Sequence, residues 1–382
     1  MLKRVLATTI VALAAAPSAF AGGPTMTLGA TEDIVKQPTL VAAKAQMDKL
    51  KLAGLRAVRV SQEWAPGETE PSGAGFEALK NAVAAAQLDG IQVVLSVTNH
   101  GSRTTPLSDQ DQADFATYAA NVARALPSVN DFVVGNEPNL NRYWLPQFGL
   151  DGSDVAAPAY ESLLAQTYDA LKAVSPNIDV VGGALAPHGS DDPARPRQTH
   201  SPTRFILDLG AAYRASHRSR PIMDSFALHP YMRLSRLSPT VPHPHSTTIT
   251  LADYPKLVAL LGRAFGGTAQ RGADLPILYT EFGVQTRTPR TKARFYTAGS
   301  SAAARDAVSP ATQAEWYRRA LALAACQPTV EGLFIFHSVD EPDLRGWQSG
   351  LYYADRTPKP SLALVRRAIE QIAADRSAHC GR

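Results

Sequence analysis

Two glutamates in similar sequence contexts are the residues of this chain best suited to chemistry. Glu137 ends the run Val-Val-Gly-Asn-Glu at 133–137, and Glu281 ends the run Ile-Leu-Tyr-Thr-Glu at 277–281. Apolar, β-branched runs of this kind are typical of buried strands. Two carboxyl groups at strand ends can divide acid/base and nucleophilic chemistry between them, provided that the fold brings them together. A single strand-end glutamate is more often a solvated charge, so the fold decides the interpretation.

The composition is that of an ordinary globular protein. The chain has 382 residues, of which 45% are hydrophobic and 19% are charged, so it can bury one large core or two smaller ones. The formal net charge is +4 and falls to +2 without Lys3 and Arg4. The sequence contains no long basic run with interleaved aromatic residues, so nucleic-acid binding is not expected.

The N-terminus has the pattern of a secretory signal peptide. A positive start at 1–4 precedes an apolar run at 5–16, and small residues at 19 and 21 form a cleavage site. We expect cleavage after Ala21 and a secreted mature chain at 22–382, either extracellular or periplasmic. The apolar run is shorter than the ~18–20 residues that span a membrane, so no membrane attachment is expected after cleavage.

Strand-like apolar runs alternate with amphipathic helical stretches along the mature chain, which favours βα units and a parallel sheet. The eight predicted strands are 25–30, 57–61, 92–97, 131–136, 179–183, 223–228, 276–280 and 333–337. The eight predicted helices are 38–53, 73–88, 109–126, 157–174, 202–217, 251–265, 309–326 and 359–375. This count predicts a (β/α)₈ TIM barrel.

The same pattern predicts the longest loops and argues against an alternative fold. The longest loops follow strands five, six and seven, at 185–201, 232–250 and 285–308. A doubly wound open sheet is the alternative, but it normally has a Gly-rich phosphate turn after its first strand. Residues 28–33 read Leu-Gly-Ala-Thr-Glu-Asp, which lacks that pattern. Because no linker or shift in composition divides the chain, we expect a single domain.

In an eight-stranded barrel, the ends of strands four and seven lie on opposite sides of the mouth, so Glu137 and Glu281 can face each other. This arrangement resembles the retaining glycoside hydrolases of clan A, whose acid/base and nucleophile are glutamates after strands four and seven. The resemblance covers the strand order of essentially the whole mature chain, and its finer motifs are most similar to family 5, with family 39 next. It implies that Glu137 is the acid/base and Glu281 the nucleophile.

Three further residues match side chains that family 5 keeps around its glutamates. Arg59, in Val-Arg-Val at 58–60, corresponds to a strand-two arginine that orients the nucleophile. His100 corresponds to a strand-three histidine, and Asn136 to the asparagine that contacts the sugar 2-hydroxyl. The resemblance implies that these side chains bind substrate or support the nucleophile. An ordinary barrel ion pair for Arg59 and a loop position for His100 are the alternatives.

The tripeptide His-Pro-Tyr at 229–231 matches the strand-six His-x-Tyr of the same family, whose tyrosine hydrogen-bonds the nucleophile. His229 and Tyr231 are therefore candidate site residues, with hydrogen-bonded packing as the alternative. A nucleophilic carboxylate must be ionised, so Arg59 and the Tyr231 hydroxyl are expected to lower its pKa.

The chain departs from family 5 after strand eight. That family usually has a tryptophan there as a platform for the sugar, whereas residues 334–338 read Phe-Ile-Phe-His-Ser. We expect Trp347 to supply the platform, and packing beneath the last loop is the alternative. The basic residues of the loop at 285–308 could recognise carboxylated sugars, although a solvated basic loop is the simpler interpretation.

The cysteines and histidines complete the candidate list. Cys326 is expected near a helix end and Cys380 after the last helix, and an exported protein permits a disulfide between them. Two free thiols are the alternative. The histidine-rich segment at 242–245 has no spacing typical of a zinc site, so no metal is expected.

The combined expectation is a secreted, monomeric retaining glycoside hydrolase that acts on a carbohydrate substrate. It would cleave O-glycosidic bonds of a β-linked poly- or oligosaccharide with two glutamates and no cofactor. Its two carboxyl groups are expected to lie about 5 to 5.5 Å apart, the separation typical of retention. The alternative is a catalytically inactive barrel that binds carbohydrate in the same cleft. The sugar, the linkage and the choice between endo and exo action do not follow from the fold.

Overall fold

Eight parallel strands close into a barrel in sequence order, and a helix follows each strand, in a computed structural model that describes residues 22–297, 306–374 and 380. The strands are β1 (Thr27–Thr31), β2 (Ala57–Trp64), β3 (Gln92–Asn99), β4 (Asp131–Val134), β5 (Asp179–Leu185), β6 (Ser225–Leu228), β7 (Ile277–Phe282) and β8 (Val330–Phe336). The helices are α1 (Leu40–Leu52), α2 (Gly73–Asp89), α3 (Asp109–Ala125), α4 (Ala156–Val174), α5 (Pro202–Ala215), α6 (Tyr254–Phe265), α7 (Pro310–Ala325) and α8 (Pro360–Ala374). The prediction of a single (β/α)₈ barrel is confirmed, and closure of the sheet excludes the doubly wound alternative.

The observed strands differ from the prediction mainly at their ends. β2 and β3 run three and two residues further than predicted, to Trp64 and Asn99, because they pair with each other over their full length. β4 ends at Val134, two residues early, because the chain turns at Gly135, whose φ is +78°. Strand ends depend on partners that are distant in sequence, and the local pattern does not contain that information.

Local signals set several helix starts. Ser108, Ser201 and Ser309 each precede a helix, and their hydroxyls accept a hydrogen bond from a backbone N–H three residues later. Pro202 and Pro310 occupy the first helical position, where no N–H donor is needed. These caps place the starts of α3, α5 and α7 within one residue of the predicted positions.

The barrel interior and the layer outside it are separate apolar cores. The larger core lies between the strands and the helices. The smaller core is formed by Ala57, Val94, Val133, Val181, Ala184, Ala227, Leu278 and Phe334. Gly29 of β1 leaves room for the Phe334 ring, since a Cβ atom at position 29 would lie 2.6 Å from it. Because the interior is filled, polar side chains gather at the upper end of the barrel, where the strands finish.

The C-terminal tail is attached at the opposite end of the barrel. Cys326, which caps α7, is joined to Cys380 by a disulfide, so the candidate pairing is present in the structure. The predicted signal peptide at 1–21 and the loop segment at 298–305 lie outside the described residues. Within the ranges that are described, no helix is long and apolar enough to cross a membrane.

Candidate active site

Glu137 and Glu281 meet at the upper mouth of the barrel, as their strand positions predict. Glu137 lies three residues beyond the end of β4, and Glu281 is the second-to-last residue of β7. A carboxyl oxygen of Glu137, a carboxyl oxygen of Glu281 and a ring nitrogen of His229 all lie within 4.8 Å of one another. Both glutamate side chains are 13% exposed, so each is mostly buried but open to the cleft.

Irregular backbone aims both glutamates into the cleft. Glu137 has a φ of +42°, a conformation that a residue with a Cβ rarely adopts. Its backbone N–H donates to the carbonyl of Ala184, 2.9 Å away, at the point where the pairing of β5 with β6 shifts register. The pairing of β7 with β8 also shifts between Tyr279 and Phe282, on either side of Glu281. Such irregularities redirect side chains next to functional sites.

Arg59 connects three strands beneath the nucleophile candidate. It lies two residues after Ala57, whose side chain fills the barrel interior, so strand alternation turns Arg59 inward. Its guanidinium donates to Glu281 Oε1 at 2.5 Å and to Asn136 Oδ1 at 2.9 Å, and its Nε donates to Ser96 Oγ at 2.7 Å. The side chain is 2% exposed. Arg59 therefore fixes the orientation of Glu281 and Asn136 together.

Tyr231 and His229 approach the glutamates from the end of β6. The Tyr231 hydroxyl donates to Glu281 Oε2 at 3.0 Å. His229 Nδ1 lies 2.9 Å from Glu137 Oε1 and 3.5 Å from Glu281 Oε2, and its side chain is fully buried. The two glutamates thus have different partners: Glu281 accepts from Arg59 and Tyr231, whereas Glu137 contacts His229.

The electrostatic environment keeps Glu281 ionised. Burial alone would raise the pKa of Glu281, but the charges of His229 and Arg59 and the hydrogen bonds from Arg59 and Tyr231 lower it below its usual value. Burial and the two nearby carboxylates raise the pKa of Tyr231, so its hydroxyl stays protonated as a donor. A desolvated, ionised carboxylate with oriented donors has the properties required of a nucleophile.

Trp347 lies next to this cluster and His100 does not. The Trp347 ring is 5.2 Å from the Tyr231 ring and 5.4 Å from the Phe336 ring, and it is partly exposed at the mouth. The His100 side chain is 73% exposed, and its Nδ1 contacts Glu63 Oε2 at 2.5 Å. His100 lies one residue beyond the end of β3, where strand alternation no longer sets the direction of a side chain. The structure does not bring His100 to the two glutamates, and its role in substrate binding stays a prediction.

Tyr143 and the basic loop at 285–308 complete the surroundings of the cluster. Burial and the charges of Glu137 and Glu281 raise the pKa of Tyr143 to about 12, which is consistent with a phenol that faces the cleft. In the basic loop, Lys292 Nζ is taken up by Asp355 Oδ2 at 2.7 Å, away from the glutamates. At least one cation of the loop, Lys292, therefore forms an ion pair within the protein.

The cluster of Glu137, His229 and Glu281 has ligand atoms close enough for a metal ion. However, both oxygens of Glu281 already accept hydrogen bonds from Arg59 and Tyr231. A guanidinium group 2.5 Å from one of those oxygens would also repel a cation. The donor set therefore suits proton transfer and nucleophilic attack better than metal binding.

Sequence reasoning missed several polar residues at the mouth. Ser96 could have been found, because it lies two residues after the inward-facing Val94 on the same side of β3. Glu32 directly follows β1 and is buried, yet it was read only as part of a turn. His337 and Glu341 belong to the loop after β8, where the sequence carried no regular spacing that would connect them.

Comparison with solved structures places the chain by fold. A family 39 glycoside hydrolase from the gut symbiont Bacteroides cellulosilyticus superposes with a TM-score of 0.65 at 17% identity, over 92% of this chain and 65% of that chain. A GH5_18 structure from Streptomyces cattleya in complex with GlcNAc gives 0.61 at 18% identity, over 93% and 82%. The fold of the present chain is thus shared with glycoside hydrolases of families 39 and 5. Both families suggested by the sequence are thus among its structural neighbours, which confirms the resemblance.

A third neighbour and the remaining comparisons set the limits of that similarity. A monomeric β-xylosidase from Caulobacter crescentus superposes with a TM-score of 0.56 at 17% identity, over 90% of this chain and 68% of that chain. The chain thus spans about two thirds of the length of the family 39 structure and of the β-xylosidase. No protein-family model matches the sequence, and the search of curated proteins found no match.

Proposed function

We propose that this protein is a secreted glycoside hydrolase that cleaves β-linked poly- or oligosaccharides with retention of anomeric configuration. The observation that carries the proposal is the carboxyl pair, with oxygens of Glu137 and Glu281 within 4.8 Å of each other in a cleft open to solvent. Retaining enzymes hold their two carboxyl groups about 5 to 5.5 Å apart, whereas inverting enzymes need about 6.5 to 9.5 Å to admit a water.

The different partners of the two glutamates support different roles. Glu281, ionised and oriented by Arg59 and Tyr231, attacks the anomeric carbon and forms a covalent glycosyl ester. Glu137 gives its proton to the departing glycosidic oxygen as that bond breaks. Glu137 then takes a proton from water, which attacks the anomeric carbon, releases the sugar and returns Glu281 to its ionised form.

His229 is suited to positioning Glu137 in both steps. Its Nδ1 contacts both carboxyl groups, so it can hold Glu137 in place while the proton moves. Asn136, held by Arg59 beside Glu137, is placed to contact the sugar, and Trp347 offers an aromatic face for stacking. No step in this sequence calls for a cofactor.

The substrate class rests on chemistry and on the neighbours. One neighbour is described as a β-xylosidase, and a variant of the Streptomyces enzyme is described in complex with Manb1-4GlcNAc. These descriptions support a β-linked substrate for this chain. The signal-like N-terminus supports secretion, and we expect a monomer because the site is built from a single chain.

Hydrolysis of a panel of aryl β-glycosides and polysaccharides tests the proposal. The wild type is expected to release product, and Glu281→Ala is expected to abolish release because no nucleophile remains. Glu315→Ala, which removes an exposed glutamate on the outer face of α7, is the matched control and should leave activity unchanged. Activity that survives Glu281→Ala would overturn the nucleophile assignment. Glycan binding without hydrolysis in the wild type would favour the inactive carbohydrate-binding barrel.

A further inference from the structure

A second histidine–glutamate pair lies at the mouth of the barrel, outside the catalytic cluster. His337 directly follows β8, and its Nε2 lies 3.3 Å from Glu341 Oε1. The His337 side chain is 15% exposed and the Glu341 side chain 43% exposed, so the pair is accessible from the cleft side of the loop. A Cβ atom at Gly346 would lie 2.0 Å from Glu341 Oε2, so this glycine makes room for the carboxylate.

The hydrogen-bond partners of His337 determine its charge. Its Nδ1 faces the Thr31 carbonyl at 3.0 Å and Glu32 Oε1 at 3.7 Å, both of which are acceptors. Its Nε2 faces the Glu341 carboxylate, which is also an acceptor, so both ring nitrogens carry protons. Burial alone would lower the pKa of His337, but Glu341 and Glu32 raise it above its usual value. The hydrogen bond from His337 in turn lowers the pKa of Glu341.

The pair is connected to the nucleophile by a series of aromatic contacts. The His337 ring packs on the Phe336 ring, with centroids 3.7 Å apart, and Phe336 contacts Trp347. Trp347 contacts Tyr231, whose hydroxyl binds Glu281. A sugar stacked on Trp347 with its anomeric carbon at Glu281 would turn its opposite edge, which carries the 3- and 4-hydroxyl groups, toward Glu341.

The loop that carries Glu341 and Trp347 is held rigidly. The Glu341 backbone N–H donates to the Trp347 carbonyl at 3.0 Å, which joins the backbones of the two residues. At the base of the loop, Lys359 Nζ binds Asp340 Oδ1 at 2.6 Å, and both side chains are almost completely buried. The loop therefore presents its polar and aromatic groups in one arrangement before any ligand arrives.

We propose that Glu341, positioned by His337 and lying beside Trp347, recognises two neighbouring hydroxyl groups of a neutral sugar at the non-reducing end of the substrate. The inference rests on the proposed function, whose sugar class it specifies. The Glu341 carboxylate accepts hydrogen bonds from hydroxyls, His337 holds its Oε1 in place, and the indole covers an apolar sugar face. This combination matches two adjacent hydroxyl groups on one edge of a pyranose.

The same chemistry excludes two other classes of sugar at this position. A uronate would bring a second carboxylate beside Glu341, and the two negative charges would repel each other. A sugar whose hydroxyl at this edge is already glycosidically linked has no proton to donate to Glu341. The pair therefore selects a terminal sugar, which corresponds to exo action or to the cleavage of short oligosaccharides.

Equilibrium binding of monosaccharides, followed by NMR titration, tests the inference without requiring turnover. The probes are glucose, mannose, galactose, xylose, glucuronic acid and the 4-deoxy form of the sugar that binds most tightly. For that sugar, Glu341→Gln is expected to bind about 10- to 100-fold more weakly than the wild type, the effect of losing a charge-assisted hydrogen bond. Glu77→Gln, which removes an exposed carboxylate paired with Lys80 on α2, is the matched control and should bind as the wild type does.

The 4-deoxy sugar separates recognition from a structural role of Glu341. The wild type should bind the 4-deoxy sugar about 10- to 100-fold more weakly than it binds the parent sugar. Glu341→Gln should bind the 4-deoxy sugar and the parent sugar about equally weakly. This comparison in the wild type needs no variant and holds even if Glu341→Gln unfolds. Equal binding of the deoxy sugar and its parent by the wild type, or tighter binding of glucuronic acid than of glucose, would overturn the inference.

The outcomes also separate this inference from the proposed function. Hydrolysis that depends on Glu281, with sugar binding unaffected by Glu341→Gln, would leave the function in place and remove the role of the pair. Loss of binding in Glu341→Gln, in a wild type that hydrolyses none of the glycosides, would support the pair and contradict the glycosidase.

Discussion

Glu137 and Glu281 carry the same functional group in different surroundings, and the difference supplies two roles. Glu281 has a guanidinium and a phenol as fixed donors, which stabilise its ionised form. Glu137 has a histidine neighbour and a strained backbone, with a φ of +42°. Strain of this kind persists only where the surrounding structure enforces it, and it is concentrated at functional sites. The surroundings of the two glutamates therefore distinguish the proposed acid/base from the proposed nucleophile.

Removing the acid/base should affect substrates according to their leaving groups. In Glu137→Ala, glycosides with poor leaving groups should lose about 10²- to 10⁴-fold in kcat, the usual contribution of a general acid. Dinitrophenyl glycosides, whose leaving group needs no proton, should retain most of the rate of the first step. Steady-state and burst kinetics on the two substrate classes measure the difference. An equal loss on both classes would contradict the role assigned to Glu137.

Removing the Tyr231 hydroxyl should shift the pH dependence. The pKa of Glu281 is lowered partly by that hydrogen bond, so Tyr231→Phe raises it. Activity requires ionised Glu281, so the acidic limb of the profile of kcat/KM against pH should move to higher pH. Tyr213→Phe, which removes a buried hydroxyl from α5, is the matched control and should leave the limb in place. An acidic limb unmoved in Tyr231→Phe would mean that another group controls it.

At the scale of elements, the strand ends position the site and the strand starts carry a separate acidic group. Asp131 and Asp179 begin β4 and β5, and both border a pocket of about 350 Å³ at the lower end of the barrel. Burial and the nearby Asp131 raise the pKa of Asp179 to about 7. Burial also raises the pKa of Asp131, although Gln92 donates a hydrogen bond to it.

This acidic group makes stability dependent on pH. Because the folded pKa of Asp179 is above its ordinary value of 3.8, the folded protein should lose stability as pH rises from about 4 through 7. Asp179→Asn should therefore raise the thermal midpoint relative to the wild type at pH 8 and change it little at pH 4. Asp274→Asn, on an exposed loop, is the control with no expected pH-dependent gain. A gain of equal size at both pH values would contradict the ionisation argument.

The strands, the helices and the residues next to them also show which features the sequence could predict. Periodicity located all eight strands and all eight helices, because each βα unit buries one face in a regular way. Arg59, Asn136, His229 and Tyr231 were found because each adjoins a strand end with a distinctive motif. The direction of the His100 side chain could not be predicted, because His100 lies one residue beyond the end of β3, where strand alternation stops. Glu341 was missed because its partner lies across an irregular loop, whose path no short-range pattern encodes.

At the scale of the whole molecule, the active face and the stabilising attachments are at opposite ends. The disulfide between Cys326 and Cys380 closes a chain segment with a sequence separation of 54 residues at the end of α7, away from the mouth. Helices run opposite to the strands in a barrel, so the end of a helix lies near the start of the next strand. Stability and catalysis should therefore respond separately to changes at this position.

Removing both cysteines should test that separation. The double variant Cys326→Ser and Cys380→Ser should lose about 2 to 4 kcal/mol of unfolding free energy, because its unfolded chain is less constrained. Its kcat at 25 °C should be close to that of the wild type. Denaturant unfolding and steady-state kinetics on the same preparations provide both readouts. A large fall in kcat with unchanged stability would mean that the tail reaches the active face.

In the proposed mechanism, Glu281 forms a covalent bond to the sugar while Glu137 moves the proton, and trapping that bond is the decisive test. A 2-deoxy-2-fluoro aryl glycoside of the preferred sugar slows the second step and lets the intermediate accumulate. Mass spectrometry of the digested protein is expected to find one fluoroglycosyl group, on the peptide that contains Glu281. Labelling of a different residue, or an unlabelled enzyme that releases product of inverted configuration, would contradict the account.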